Sequence, residues 1–366
     1  MKYPSIIKTF AFILVFSPFV MAGHHSSNEH KSHTKYVTYS QIGNPADVLE
    51  VKTEVSRSLN NGEVRVQVLA APINPSDLLQ IAGNYGVDAI LPARPGSEGV
   101  GRVKEISSGV KTLKVGQLVL LASGSTWAEE QVGPAEGFLP LPDLGPISAG
   151  VIEQLAMSAV NPLTALLMLN SFEDIEEGEW IAQSAANSAV GGYVIQLAKQ
   201  RGIKTVNIVR REGLAEDLLA KGADIVLIDG PDLADQIAKA TDNASIRLAL
   251  DPVGGDTYAR LSESLGYGGT LVAYGFLSGK PPMLNTGQLI FNDTRLRGFW
   301  LYKWYQTATM QEKQEAFGQI IPLIVNGTLK ANIDSRYTVD QIEQAVTRAW
   351  EGGRNGKVLI VPNPIE

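Results

Sequence analysis

The chain has 366 residues, of which 44% are hydrophobic and 19% are charged, and its formal net charge is −7. This length permits two domains with a substantial core, and an acidic chain without a basic stripe is not expected to bind nucleic acid. Cysteine is absent, which excludes disulfides, thiolate metal sites and a cysteine nucleophile.

The histidines are confined to the N-terminal end, at His24, His25, His30 and His33. From Thr34 onward the chain therefore has neither thiol nor imidazole, and no metal site is expected there. A general acid in that part must be a tyrosine, a lysine, a carboxylic acid or water.

The N-terminus resembles an export leader. Residues 1–22 combine a weakly basic start with a mainly apolar run, Phe10–Met21, and the small Ala22 and Gly23 fit a cleavage site. Residues 23–35 are polar and predict a disordered linker. The apolar run is too short for a transmembrane helix, so no stable membrane span is expected after cleavage. This pattern predicts a periplasmic or secreted protein, with a cytoplasmic one as the alternative.

The first half after the leader has the pattern of β-structure. Val64, Val66 and Val68 alternate with polar residues, which is the period of a half-buried strand. Further strands are predicted at Gly99–Val103 and Leu118–Leu121, with glycine turns between them.

The second half alternates apolar runs with helical patterns. Trp180–Gln183, a turn over 184–192, a helix to Gly202 and a strand at Thr205–Val209 make one βαβ unit. Four more strands complete a six-stranded parallel sheet, so the predicted class is α/β with a dinucleotide-binding domain. These strands are predicted at Asp224–Ile228, Ile246–Leu250, Thr270–Tyr274 and Leu296–Leu301, with helices at Leu233–Ala240 and Asp256–Leu265. A last strand, Val358–Val361, is predicted to return to the first sheet.

The βαβ unit indicates a cofactor. Its turn keeps only the later glycines of the dinucleotide fingerprint, Gly191 and Gly192, while Asn187 can replace a glycine at positive φ. Arg210 and Arg211 follow the second strand, where NAD-binding proteins place an acidic residue for the ribose 2′-hydroxyl. Two arginines suit a 2′-phosphate instead, which predicts NADP(H) and a redox enzyme. An ordinary strand-to-helix turn that binds nothing is the alternative.

Several motifs make a family resemblance specific. The chain from Tyr36 to Pro362 resembles the zinc-free branch of the medium-chain dehydrogenase/reductase superfamily, and more narrowly its 2-enoyl thioester reductases. The motifs are Ile73–Asp77, Gly83–Gly86, Pro95–Gly101, Gly124–Trp127, Val160–Pro162, Ala185–Gly191 and Arg297–Leu301.

The resemblance implies a six-stranded Rossmann domain over 163–311 and a GroES-like β-rich catalytic domain over 36–162, to which 312–366 returns. It implies reduction of a trans-2-enoyl thioester, with NADPH as the hydride source and Tyr85 as the catalytic tyrosine. A homodimer is expected, and the carrier, coenzyme A or acyl-carrier protein, stays open. The implied cofactor contacts are Asn161, Asn187, Ser188, Ala189, Val190, Arg210, Arg211, Tyr274, Gly275, Phe276, Leu277, Phe299, Trp300, Leu301 and Lys357.

Two other functions fit the same residues. A zinc-free NADPH:quinone oxidoreductase needs the same cofactor site but no proton donor as well placed as Tyr85. A non-catalytic cofactor-binding protein needs the cofactor site alone.

Overall fold

Alternating valines build the first sheet. The computed structural model describes residues 32–365, and in it Val64, Val66 and Val68 are fully buried in one ten-residue strand. The elements of this part are β1 (His33–Thr38), α1 (Pro45–Val48), β2 (Glu50–Val55), β3 (Glu63–Pro72), α2 (Pro75–Ile81), β4 (Gly99–Ile106), β5 (Leu118–Leu121), β6 (Glu130–Pro134), β7 (Phe138–Pro140) and α3 (Ala149–Ala156).

The middle of the chain alternates helices with short apolar strands. Its elements are α4 (Asn161–Ser171), β8 (Trp180–Gln183), α5 (Ala189–Gln200), β9 (Lys204–Val209), α6 (Ala215–Lys221), β10 (Ile225–Ile228), α7 (Leu233–Ala240), β11 (Ile246–Asp251), α8 (Gly255–Glu263), β12 (Leu265–Ala273), α9 (Thr286–Phe291), β13 (Arg295–Gly298) and α10 (Leu301–Thr307). The last part comprises α11 (Met310–Val325), β14 (Ile333–Tyr337), α12 (Ile342–Trp350) and β15 (Lys357–Ile360).

The six middle strands form one parallel sheet in the order β10-β9-β8-β11-β12-β13. Counted from β8, this is the order 3-2-1-4-5-6 of a dinucleotide-binding sheet, and it reverses between β8 and β11. Ligands of such sheets bind outside the carboxyl ends of the strands at that reversal. The predicted α/β class with a six-stranded Rossmann sheet is confirmed.

The second sheet is mainly antiparallel, in the order β14-β15-β3-β4-β5-β7, with β6 paired to β3. The C-terminal strand β15 returns to it, pairing with Ala71 and Pro72 of β3, as the sequence predicts. We call this sheet and its helices the antiparallel-sheet lobe, and α4 to α10 with their strands the parallel-sheet lobe. The domain boundaries proposed from the sequence remain predictions.

Both lobes contribute to one buried apolar cluster. Leu69 and Val100 of the antiparallel sheet belong to the same cluster as Leu163 of α4 and Ile181 of β8. Because the two lobes share a core, loops from each can hold fixed positions relative to the other. Among the described residues no single helix is long and apolar enough to cross a bilayer; α3 and α4 pass that test only as a pair, bent by 55°.

Three local predictions are wrong. The segment Phe299–Leu301 is not part of the last strand, since β13 ends at Gly298 and Leu301 begins α10. His33–Lys35 belong to β1, paired with β2, and not to a linker; the rest of that linker and the leader lie outside the described residues. Leu265 opens β12 and does not end the preceding helix. In each case the residue type does not change at the end of the strand, because that end depends on pairing with a neighbouring strand.

Candidate active site

The turn between β8 and α5 presents free backbone donors. Ser188 is the N-cap of α5, and its hydroxyl accepts a hydrogen bond from the N–H of Gly191 at 3.1 Å. The N–H groups of Ala189 and Val190 begin the helix and have no intrahelical acceptor. Together with the positive end of this 12-residue helix, they favour a bound phosphate. The predicted contacts at 188–190 therefore share one place suited to an anion.

Close packing explains one glycine of the turn. A Cβ on Gly191 would lie 2.5 Å from the carbonyl oxygen of Ala186, so only glycine lets α5 approach the turn this closely. The positive φ predicted for Asn187 is instead found at Ala185, with a φ of 47°. Asn187 is exposed at the tip of the turn. Positive φ at an alanine reflects tertiary constraint, which the residue type alone does not reveal.

The ends of β8 and β11 are joined at the sheet reversal. The hydroxyl of Ser184 donates to the buried carboxylate of Asp251, which also accepts from the N–H of Gly254 at 2.7 Å. Tyr274 lies next to them, and its hydroxyl is buried with no hydrogen-bond partner among the described residues. Burial raises the pKa of Tyr274, and the nearby carboxylate of Asp251 adds to that rise. An unpaired hydroxyl beside the phosphate-binding turn fits a dinucleotide at this point.

Arg210 and Arg211 follow β9 directly, and both are exposed at the carboxyl edge of the parallel sheet. A Cβ built on Gly353 would lie 3.8 Å from the Nη1 atom of Arg211. The C-terminal loop of the antiparallel-sheet lobe therefore lies beside the arginine pair. The residues present fit a 2′-phosphate, because each guanidinium can form bidentate hydrogen bonds with phosphate oxygens.

The loops after β12 and β13 provide apolar side chains at the same edge. Phe276 and Leu277 are each 57% exposed, and the N–H of Leu277 is fixed to the carbonyl of Pro252 at 2.9 Å. Gly275 approaches the same residue so closely that a Cβ would lie 2.8 Å from its carbonyl oxygen. Phe299 continues from β13 and packs its ring edge against Phe172.

Tyr85 lies in the loop after α2 and contacts the parallel-sheet lobe through Trp300. The Nε1–H of Trp300 donates to the Tyr85 hydroxyl at 2.9 Å, and the rings meet edge-on with centroids 6.1 Å apart. Burial raises the pKa of Tyr85, and the hydrogen bond from Trp300 partly opposes that rise. Gly86 leaves room for this contact, since a Cβ there would lie 3.3 Å from the indole ring. Tyr85 is thus a protonated phenol at neutral pH.

Asn161 and Lys357 are buried inside the protein, unlike the other predicted cofactor contacts. Their side chains are only 6% and 5% exposed, and both donate to the Oδ1 atom of Asn74, at 3.0 and 2.5 Å. The Nδ2 atom of Asn74 in turn donates to Glu98 at 2.9 Å. Asp77 accepts from the backbone N–H of Asn74 at 2.8 Å. We call Asn74, Asp77, Glu98, Asn161 and Lys357 the buried polar cluster.

Asn74, Asp77 and Glu98 are site residues that the sequence analysis does not single out, although all three lie in the motifs Ile73–Asp77 and Pro95–Gly101. The available signal was their polarity inside otherwise apolar and glycine-rich motifs, because buried polar groups need partners. The partners themselves are remote along the chain and could not be identified from the sequence.

The donor set does not fit zinc. The chain has no cysteine, and the described residues bring no three His, Asp or Glu side chains together in a metal-binding group. A structural or catalytic zinc of the usual type requires such ligands.

Two family models match the chain. The model described as "Alcohol dehydrogenase GroES-like domain" covers residues 60–156, and the one described as "Zinc-binding dehydrogenase" covers residues 189–316. The second description names a metal for which residues 32–365 provide no ligand group, so we take the match to concern the fold of the nucleotide-binding part.

Curated relatives cover nearly the whole chain. The mitochondrial enoyl-[acyl-carrier-protein] reductase of Dictyostelium discoideum is 36% identical, over 90% of this chain and 95% of that protein. The human mitochondrial enoyl-[acyl-carrier-protein] reductase is 35% identical, over 93% and 91%.

Solved structures of two kinds superimpose well. The complex of Etr1p with NADP and crotonyl-CoA has a TM-score of 0.81 at 28% identity, covering 90% of this chain and 100% of that one. A protein described as an NADPH:quinone reductase from Bacillus thuringiensis has the same TM-score at 29% identity, covering 90% and 99%.

The prediction of a periplasmic or secreted protein is wrong. The curated relatives described above are mitochondrial enzymes. A basic start followed by a short apolar run does not identify a destination, because composition alone does not separate export leaders from other N-terminal segments.

Proposed function

The chain belongs to the enoyl-[acyl-carrier-protein] reductase family of medium-chain dehydrogenases/reductases, and we infer that it reduces the 2,3 double bond of a trans-2-enoyl thioester with NADPH. Bound NADPH supplies the hydride, whereas the chain supplies binding, orientation and a proton. The oxidoreductase is of the class that acts on CH–CH groups.

The cofactor would be held along the carboxyl edge of the parallel sheet. The N–H groups at Ala189 and Val190, with the adjacent Asn187 and Ser188, suit the pyrophosphate. Arg210 and Arg211 suit the 2′-phosphate. The residues Tyr274 to Leu277, Phe299 and Leu301 would line the nicotinamide and acyl sites with largely apolar surface.

Tyr85 would hold the proton that the α-carbon receives. The indole of Trp300 can only donate, so it occupies a lone pair of the Tyr85 oxygen and leaves the phenolic O–H free to donate elsewhere. As that proton leaves, the same N–H stabilises the developing phenolate. Burial therefore keeps Tyr85 protonated before reaction by raising its pKa, and the hydrogen bond from Trp300 would help it to give up the proton during reaction.

The Tyr85–Trp300 hydrogen bond is the observation that supports this proposal, because it joins a phenol of one lobe to the loop after β13 in the other. The test is NADPH oxidation by the purified protein with crotonyl-CoA and with a benzoquinone in parallel. We expect stoichiometric butyryl-CoA, identified by mass spectrometry. Turnover with the quinone alone would contradict the proposal.

Quinone reduction is the second candidate, and the equal TM-score of the Bacillus thuringiensis protein favours it. A quinone takes its protons from water after hydride transfer, so this activity would not need Tyr85. The third candidate, a non-catalytic cofactor-binding protein, predicts NADPH binding with no turnover of either substrate. The carrier of the thioester, coenzyme A or acyl-carrier protein, is distinguished by comparing kcat/KM for the two crotonyl esters.

The active form proposed for this enzyme is a homodimer joined at β13. This strand is the edge of the parallel sheet, and among the described residues it pairs only with β12, so that its other side offers backbone groups unpaired within residues 32–365. Exposed apolar residues lie in the preceding segment, among them Met283 at 59%, Ile290 at 67% and Phe291 at 81%. An edge strand flanked by exposed apolar side chains suits pairing with a second copy. A solved relative, Etr1p/Etr2p from Candida tropicalis, is a heterodimer.

A further inference from the structure

Glu98 connects the two lobes inside the protein. It precedes β4 in the antiparallel-sheet lobe and is completely buried. Its Oε2 atom accepts hydrogen bonds from the backbone N–H groups of Ala159 and Val160, at 2.9 and 2.8 Å. Those residues form the junction from which α4 begins, and α4 opens the parallel-sheet lobe.

The helix α4 lacks a cap of its own. Its N-cap residue is Val160, which has no side-chain hydrogen bond to the helix, and Glu98 supplies a carboxylate there from another element. A negative charge near the start of an 11-residue helix is favoured by the helix dipole. Tyr305 of α10 fixes the same junction from the other side, donating to the carbonyl of Ala159 at 2.8 Å.

The second oxygen of Glu98 determines how Asn74 is oriented. Its Oε1 atom accepts from the Nδ2 atom of Asn74, so the Oδ1 atom of Asn74 faces the amide of Asn161 and the ammonium of Lys357. A rotated Asn74 amide would place its NH₂ group against these two donors. One carboxylate thus fixes three elements at once: the start of α4, the N-cap of α2 and the start of β15.

We propose that Glu98 is a positioning residue of the reductase, which sets Asn161 and Lys357 at the cofactor by capping α4 and orienting Asn74. It acts through these two side chains and contacts neither cofactor nor substrate. The inference rests on the proposed function for the identity of the cofactor and for its contacts with Asn161 and Lys357, which the family resemblance implies; NADPH binding can be measured without any thioester.

The test compares two isosteric changes at buried carboxylates. Glu98→Gln keeps the shape but leaves one oxygen for three donors, so the cluster must rearrange. Glu153→Gln is the control: Glu153 is also buried, but on α3, where it pairs with Arg336 outside the cluster. NADPH dissociation constants are measured by fluorescence titration, and unfolding is measured alongside.

We expect the NADPH dissociation constant of Glu98→Gln to rise at least about tenfold, the loss typical for a hydrogen bond to a charged group. Glu153→Gln is expected to lose stability and to keep the dissociation constant within about twofold, since the removed pair is remote from the cofactor residues. A Glu98→Gln variant that is only less stable, with unchanged NADPH binding, would overturn the positioning role. Absence of turnover with crotonyl-CoA in the unmodified enzyme would count against the proposed function. The NADPH dissociation constants of the two variants could still be compared.

The double variant Glu98→Gln/Lys357→Met decides the question if Glu98→Gln does not fold. It removes both charges together, so that no lone ammonium remains buried without Glu98. If Glu98 acts through Lys357, the double variant should bind NADPH within about threefold of Lys357→Met alone. Binding equal to that of the unmodified protein would overturn the proposal.

Discussion

The indole Nε1–H of Trp300 donates to the hydroxyl of Tyr85 across the two lobes, at 2.9 Å. Trp300 is the N-cap residue of α10, two positions after β13 ends, whereas Tyr85 lies in the loop after α2. The proposed acid of one lobe is therefore held by a side chain next to the edge strand of the parallel sheet, whose carboxyl edge is the proposed cofactor site.

Trp300→Phe tests the indole donor. The phenyl ring keeps the apolar contact with Tyr85 and with Tyr302, but no N–H remains to stabilise a phenolate. We expect kcat with crotonyl-CoA to fall about tenfold, the loss expected for one hydrogen bond to a developing charge. Tyr302→Phe is the matched control, since it keeps the stacked ring; its kcat should stay within about twofold. Equal losses in both variants would assign the effect to packing.

We expect the arginine pair, Arg210 and Arg211, to make NADPH the preferred cofactor. We expect NADPH to bind at least about tenfold more tightly than NADH, and Arg210→Ala/Arg211→Ala to remove that preference at a cost of about 2–3 kcal/mol for NADPH alone. The exposed lysines Lys104 and Lys111 provide a control of equal charge change, Lys104→Ala/Lys111→Ala. Isothermal titration with both cofactors measures these constants. A preference that survives in the arginine variant would locate the 2′-phosphate elsewhere.

Asp77 gives the fold a pH dependence. Burial raises the pKa of Asp77 to about 6 from its ordinary value of 3.8, and the titratable groups facing it are Lys357 and Glu98. A carboxyl with a raised folded pKa favours folding below its unfolded pKa and loses that contribution as pH rises through the folded value. Stability should therefore fall between about pH 4 and pH 6, by up to about 3 kcal/mol from this group.

Urea unfolding of Asp77→Asn across that pH range checks the assignment. The variant lacks the titrating group, so the difference between wild type and variant should change with pH in the stated direction. Asp88→Asn, at an exposed carboxylate in the following loop, should parallel the wild type. A pH-independent difference between wild type and Asp77→Asn would show that Asp77 does not titrate in this range.

The proposed dimer depends on the apolar surface next to β13. Ile290→Glu/Phe291→Glu places two charges where we expect the partner, and light scattering should then report a monomer instead of a dimer. Val115→Glu is the control, because Val115 is 61% exposed but lies in the antiparallel-sheet lobe. A wild-type protein that is monomeric at micromolar concentration would contradict the proposed dimer.

The sequence predicts the class and order of the elements well because their signals are local. Apolar runs and their periods identified the parallel strands, and Arg210 and Arg211 could be placed because they follow a strand directly. The boundary at Leu301 was missed, since an apolar run does not show where strand becomes helix. The buried polar cluster could not be predicted, because its members are remote along the chain. Lys357, for example, donates a hydrogen bond to Asn74 although 283 positions separate the two residues.

The central claim is that Tyr85 supplies the α-proton in the reduction of an enoyl thioester. The most direct measurement is kcat of Tyr85→Phe with crotonyl-CoA and with a benzoquinone, alongside the dissociation constant of NADPH. We predict that kcat with crotonyl-CoA falls by about 10²–10⁴-fold, whereas kcat with the benzoquinone, if it is a substrate, changes little. The dissociation constant of NADPH should stay within about threefold of the wild-type value. Retained reduction of crotonyl-CoA by the phenylalanine variant would contradict the claim.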